Sequence, residues 1–261
     1  MKLSVFTVIV PKTSLEEAAE KVAAAGYDGV EWRVREDFHV DPATIRRKAA
    51  EVRRASDAAG LEICALAPYI KASEVDLMRE VAFGCAEMGC PGFRAGVPGY
   101  DRSRNYNDLY DEAIGDLAAL DKICAEAGVR AQIEIHMGNI ACSPSLAKRL
   151  VSGFDPARIG VIFDPGNMVY EGFENWRMGL ELLGPHLSHV HVKNSKWVRE
   201  DGVWKPTWAS MEDGIVDWSL VVDDLRAVGY DGYLSLEDFS EAPSVDEKLS
   251  ADCEYMRKLI G

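Results

Sequence analysis

The chain has 261 residues, 48% hydrophobic and 28% charged, so a core of ordinary size can be buried. Its formal net charge of −14 argues against nucleic acid or anionic lipid as a partner, since both need a basic surface, and reads as a matter of solubility. The cysteines at 64, 85, 90, 124, 142 and 253 form no CxxC pair and read as buried free thiols of a reducing cytosol. No stretch approaches the roughly 20 apolar residues of a membrane span. The opening MKLSVFTVIVPK lacks the cleavage site of a signal peptide and reads as a first strand, so a cytoplasmic location is expected.

In chain order, a β-branched run at 3–9 precedes an Ala/Glu-rich helical segment at 14–25. The pattern then repeats: strand 29–34 with helix 42–59, strand 61–67 with helix 73–88, and strand 92–95 with helix 106–127. It continues with strand 131–136 and helix 144–152, strand 159–164 and helix 174–183, strand 188–193 and helix 217–228, and strand 233–237 and helix 245–259. Strict alternation implies a parallel sheet covered by helices. Eight units in this length predict closure into a single (β/α)₈ barrel over residues 1–261, the TIM-barrel architecture. An open doubly wound sheet would carry a glycine-rich turn after an early strand, but Val10-Pro11-Lys12-Thr13-Ser14 has no glycine. Gly26-Tyr27-Asp28-Gly29 recurs as Gly229-Tyr230-Asp231-Gly232, one connector used at both ends of the chain. The long connection at 194–216 carries Trp197, Trp204 and Trp208. It reads either as a functional loop or as a hairpin packing its tryptophans on the rim or on a second subunit.

Barrel active sites lie at the C-terminal ends of the strands. Strands five to eight end in Glu134-Ile135-His136, Asp164, His191-Val192-Lys193 and Glu237. Strand alternation points Glu134, Asp164, His191 and Glu237 inward at similar height. Three carboxylates and an imidazole cannot converge there without a counter-charge. A divalent cation resolves this. The oxygen-rich set with one nitrogen favours Mn²⁺, with Mg²⁺, Co²⁺ or Zn²⁺ as alternatives. Glu134 and Glu237 can flank a bound hydroxyketone and act as the catalytic pair, removing and returning a proton next to the carbonyl through an enediolate. His136, Asn167, Lys193 and Arg94 are the substrate-binding candidates. A rim histidine, an Asx turn, a surface salt bridge and a core ion pair are their respective alternatives. Glu31 and Arg33, ending the second strand, read as an ion pair with neighbours, and His189 as a satisfied core histidine.

With these residues in place, the segments IEIHMGN, GVIFDPGNM, HVHVKNSK, DGIVDW and GYDGYLSLED resemble the xylose-isomerase-like barrel superfamily. That group includes sugar-phosphate isomerases and epimerases, ketose 3-epimerases, hydroxypyruvate isomerases, inosose dehydratases and type IV apurinic endonucleases. The resemblance implies metal ligands at Glu134, Asp164, His191 and Glu237, with the first and last as the acid/base pair. It also implies a carbohydrate-like substrate and, often, a homo-oligomer. The chain departs from the endonuclease members, having no histidine in 64–69 or 93–97 to hold further zinc. It has Asn167 where ketose 3-epimerases often have histidine, and only Gly214 of a Gly-x-Gly before Val216-Asp217-Trp218. A metal-dependent isomerase or epimerase is expected. The alternatives are a lyase (an inosose or dehydroshikimate-type dehydratase, or an eliminating 3-keto-glycoside deglycosidase), then a phosphodiester hydrolase or a non-catalytic barrel.

Overall fold

Short runs with no polar face become strands only where both faces are covered, and a closed parallel barrel provides that cover. In the computed structural model, which describes residues 1–242 and 244–261, eight such runs form the barrel wall. They are β1 (Lys2–Phe6), β2 (Gly29–Val34), β3 (Glu62–Pro68), β4 (Gly92–Ala95), β5 (Arg130–Glu134), β6 (Ile159–Phe163), β7 (Leu187–Val192) and, last in the chain, β10 (Tyr233–Leu236). They close in the order β1-β10-β7-β6-β5-β4-β3-β2, every pairing parallel. In β6 every residue is buried: alternate side chains fill the barrel and the rest meet the helices.

The helical layer is α1 (Leu15–Ala24), α2 (Ile45–Ala58), α3 (Val75–Glu87), α4 (Tyr106–Ala127), α5 (Pro144–Val151), α6 (Pro165–Tyr170), α7 (Trp176–Leu183), α8 (Trp218–Ala227) and α9 (Val245–Ile260). Ser14 starts α1 with a reciprocal capping box to Glu17. The repeated connector does the same work twice: Gly26 after α1 and Gly229 after α8 both take positive φ, +93° and +76°. None of the helices among the described residues is long and apolar enough to cross a membrane. The six cysteines are free, and all but Cys142 are buried.

Two features differ from the sequence expectation, and a third matches one of the two readings it offered. The first strand stops at Phe6, and Thr7–Ile9 forms a single 3₁₀ turn. There the Thr7 hydroxyl accepts from the Arg33 amide (2.9 Å), so a side chain replaces the next ladder bond. The short helix α6 was not anticipated; the Asp164 side chain caps it and Pro165 opens it. The connection at 194–216 contains an antiparallel hairpin, β8 (Asn194–Glu200) with β9 (Val203–Ala209), turning through Asp201 and Gly202 at φ 51° and 79°. Trp208 packs on the rim and Trp197 donates to the Val169 carbonyl (2.9 Å) while staying partly exposed; Trp204 at the far end is the most exposed of the three.

Candidate metal centre at the mouth of the barrel

Glu134 is the last residue of β5, His191 lies within β7, and Asp164 and Glu237 directly follow β6 and β10. The Glu237 amide still donates to the Val192 carbonyl (2.9 Å), which fixes its height beside β7. All four side chains point inward and are buried. One ligand atom from each lies within 4.8 Å of the others. His191 Nδ1 is 3.1 Å from Glu134 Oε1, 3.6 Å from Asp164 Oδ2 and 3.6 Å from Glu237 Oε2.

Glu31 explains the orientation of the imidazole. It is fully buried below His191 and accepts from His191 Nε2 (3.2 Å), His189 Nε2 (3.0 Å) and Ser235 Oγ (2.6 Å). Burial alone would raise its carboxyl, but His191 and His189 outweigh burial and hold it well below the usual range. An ionised carboxylate only accepts, so it holds a proton on His191 Nε2. Burial opposes a second proton on the ring, but Glu31, Asp164 and Glu134 outweigh burial and raise the imidazole well above its usual range. A cation at Nδ1 would take that second proton's place. Glu31, His189 and His191 form a second compact group of possible ligands, but the Glu31 oxygens are already engaged by these donors. His189 is thus a satisfied core histidine. The expected ion pairing with neighbours holds for Glu31, whose partners are His189 and His191, and is corrected for Arg33. Among the described residues, Arg33 has no carboxylate within 4.0 Å.

Lys193 is not on the surface. It lies two residues beyond His191, is 2% exposed, and puts Nζ 2.6 Å from Asp164 Oδ2 and 2.5 Å from Glu237 Oε2. Burial opposes its charge, but Asp164, Glu237 and Glu134 outweigh that and raise its pKa. Arg94 reaches Glu134 Oε2 at 2.7 Å. Burial would raise Glu134, yet Arg94, His191 and Lys193 bring it well below the normal range, whereas burial leaves Glu237 raised. Asn167, the third residue of α6, is fully buried; its amide group donates to Glu134 Oε1 (3.2 Å), the Ile135 carbonyl (3.1 Å) and Asp164 Oδ2 (2.9 Å). It therefore stands behind the carboxylates and aims two of them. His136 is half-buried at the rim with Nδ1 on the Met137 carbonyl (2.6 Å). With Arg94, Gly96, Glu134 and Asn139 it lines a cavity of about 130 Å³ at the edge of the cluster.

The donor chemistry suits a hard divalent cation. Four buried carboxylates (Glu31, Glu134, Asp164, Glu237) face two cations, Lys193 and Arg94, which leaves two negative charges if the imidazoles are neutral. Three oxygens and one imidazole nitrogen, with no thiolate, match Mn²⁺, Mg²⁺ or Co²⁺ better than a structural zinc site. Above the cluster, Trp208 of the hairpin packs against Tyr170 (4.7 Å) and Phe239 (5.2 Å), with Lys193 Nζ 5.6 Å from the Trp208 ring. Sequence reading missed Glu31 and Ser235 as supports of the cluster. Both carry a usable signal, since each lies two residues below an inward-facing mouth residue on its strand.

Comparison with known proteins places this geometry. An inosose dehydratase of Glaesserella parasuis is 24% identical over 258 residues, 87% of this chain and 83% of that protein. Among solved structures, the zinc-bound IolI protein superposes with a TM-score of 0.82 at 15% identity, covering 100% of this chain and 98% of the other. The 3-keto-D-glucoside 4-epimerase YcjR of E. coli superposes at 0.80 and 17% identity, with 99% of each chain covered. The model of the xylose isomerase-like TIM barrel family matches residues 19–259, and the chain belongs to that family.

Proposed function

We propose that this protein is a cytoplasmic, Mn²⁺-dependent isomerase or epimerase of a small sugar, sugar derivative or hydroxy-keto compound, working through an enediolate. The observation that carries the reading is the convergence of Glu134, Asp164, His191 and Glu237 within 4.8 Å. A bound divalent cation supplies Lewis acidity to the substrate carbonyl. The protein supplies the rest. Around the barrel, β7 and β6 separate β10 from β5, so Glu237 and Glu134 face each other across the substrate position. One carboxylate takes the proton from the carbon next to the carbonyl, and the other returns a proton to the opposite face or to the neighbouring carbon. Asn167 fixes Glu134 and Asp164, Glu31 fixes His191, and the Lys193 ammonium donates to substrate oxygen as negative charge develops. The aromatic wall of Tyr170, Trp208 and Phe239 excludes water from that charge.

A lyase acting on the same kind of substrate is the second reading, supported by the inosose dehydratase relative. It starts with the same proton abstraction, and Lys193, bonded to both Asp164 and Glu237, can then protonate a departing hydroxyl. Replacing Glu237 by Gln should abolish exchange of the substrate α-proton with solvent in D₂O while the protein still folds. Wild-type exchange in that variant would remove Glu237 from the chemistry. Product mass separates the readings: an unchanged mass means isomerisation, and loss of water or of an aglycone means elimination.

A further inference from the structure

Strand alternation puts Arg33 one inward step above Glu31 on β2, so its side chain rises into the barrel mouth. Its guanidinium lies 4.4 Å from the Phe38 ring and 4.7 Å from the Tyr69 ring. Arg94 lies over the same Tyr69 ring at 4.5 Å and is bonded to Glu134. Tyr69 follows β3, the strand between β2 and β4, so the three side chains line one arc of the mouth. Arg94 is charge-matched by Glu134, and Arg46, Arg79, Arg104, Arg158 and Arg257 each hold a carboxylate. Among the described residues Arg33 does not, nor do Arg47, Arg54, Arg102, Arg130, Arg149 and Arg199; what sets Arg33 apart is its place beside Arg94 and Tyr69 on the arc of the barrel mouth. The Arg33 Nε is buried without a hydrogen-bond partner, although the residue as a whole is only half-buried. Neighbouring His39 gives no negative charge in return; burial and Arg33 push it down to about 4, so it stays neutral.

A guanidinium has a fork of donors suited to phosphate or carboxylate oxygens. Here the fork is held by two aromatic faces, so little freedom remains to be lost on binding. We propose that Arg33 binds an anionic group, phosphate or carboxylate, at the end of the substrate remote from the reacting carbon. The substrate class is then an acidic hydroxyketone and not a neutral one. This rests on the proposed function for the reacting end, but the anion site can be read separately.

The test is calorimetric titration of the Mn²⁺-loaded protein with three matched probes: a ketose, the same ketose with a terminal phosphate, and its analogue with a terminal carboxylate. A charge-assisted pair contributes roughly 1.5–3 kcal/mol, so at least one acidic probe should bind about tenfold or more tightly than the neutral one. The stronger of the two acidic arms identifies the anion. Arg33→Met should abolish the preference, and Arg33→Lys, which keeps the charge and loses the fork, should retain part of it. Mn²⁺ affinity, followed by electron paramagnetic resonance, should be the same in both variants as in the wild type. Equal binding of the three probes by the wild type overturns the proposal. So does a preference that survives in Arg33→Met, or a loss of Mn²⁺ affinity in parallel with it. If Arg33→Met does not fold, the wild-type and Arg33→Lys titrations decide. Repeating the titrations in EDTA keeps the two hypotheses apart: a protein that binds no Mn²⁺ but prefers the acidic probes refutes the metal reading alone.

Discussion

Glu31 contributes no atom to the candidate ligand set, yet it determines which imidazole nitrogen meets that set. Its carboxylate accepts from both His191 and His189, and Ser235 completes it. A glutamine at this position can donate as well as accept, so it no longer enforces the Nε2 proton on His191. Glu31→Gln should therefore weaken Mn²⁺ binding by about 10–100-fold, the usual effect of losing a ligand's orienting partner. Titration of Mn²⁺ by paramagnetic resonance measures this directly. An unchanged affinity would reduce Glu31 to a core charge partner. The sequence showed an acid ending a strand but not what the acid faces. The neighbour is set by barrel closure, which brings β2 within reach of β7 across the interior. Arg33 illustrates the same limit: an arginine two residues from a glutamate reads as half of an ion pair until coordinates show that the glutamate is engaged elsewhere.

At the level of elements, alternation and glycine punctuation were strong signals. β2 and β4 start and end as read, and each starts at a glycine that lies too close to the backbone of the next strand to carry a Cβ. A Cβ at Gly92 would lie 2.6 Å from the Arg130 carbonyl oxygen. Helix α6 was illegible for a local reason: Pro165-Gly166-Asn167 is turn-forming chemistry, and the helix is six residues long. The hairpin was one of two readings of a long, tryptophan-bearing connection. What fixes it is Asn194, whose amide donates to the Met211 (2.9 Å) and Val216 (3.0 Å) carbonyls and accepts from the Ser195 and Val216 amides. Gly214 is required here, since a Cβ would overlap the Asn194 side chain. Asn194→Ala leaves buried backbone groups unpaired, at roughly 1–3 kcal/mol each. It should lower the melting temperature by several degrees and speed proteolysis at the Asp201-Gly202 turn, as read by timed digestion and mass spectrometry. Cleavage at the wild-type rate would mean that Trp197 on Val169 is a sufficient anchor.

For the molecule as a whole, the barrel interior carries a charge imbalance that a cation would relieve. Burying an ion without a partner costs several kcal/mol, and Lys193, Arg94 and the His191 imidazole, raised by its carboxylate neighbours, leave one of the four carboxylates unmatched. Ligand that binds only the folded state stabilises it by mass action, by about 2.7 kcal/mol at a hundred times Kd. For a chain of this size that corresponds to a rise of roughly 5–10 °C in melting temperature. Calorimetry in millimolar Mn²⁺ against EDTA should show that rise, and Asp164→Asn, which removes a ligand charge while keeping the cap geometry, should diminish it. A general ionic effect predicts something different: it would act on the exposed acidic surface, persist in Asp164→Asn, and be reproduced by monovalent salt at matched ionic strength. No shift at all would leave Lys193 as the resident counter-ion of a closed ion-pair cluster, and the barrel would then be a binding scaffold without Lewis-acid chemistry. The experiment thus discriminates between two uses of one buried cluster through the sign of its net charge, with no need to know the substrate.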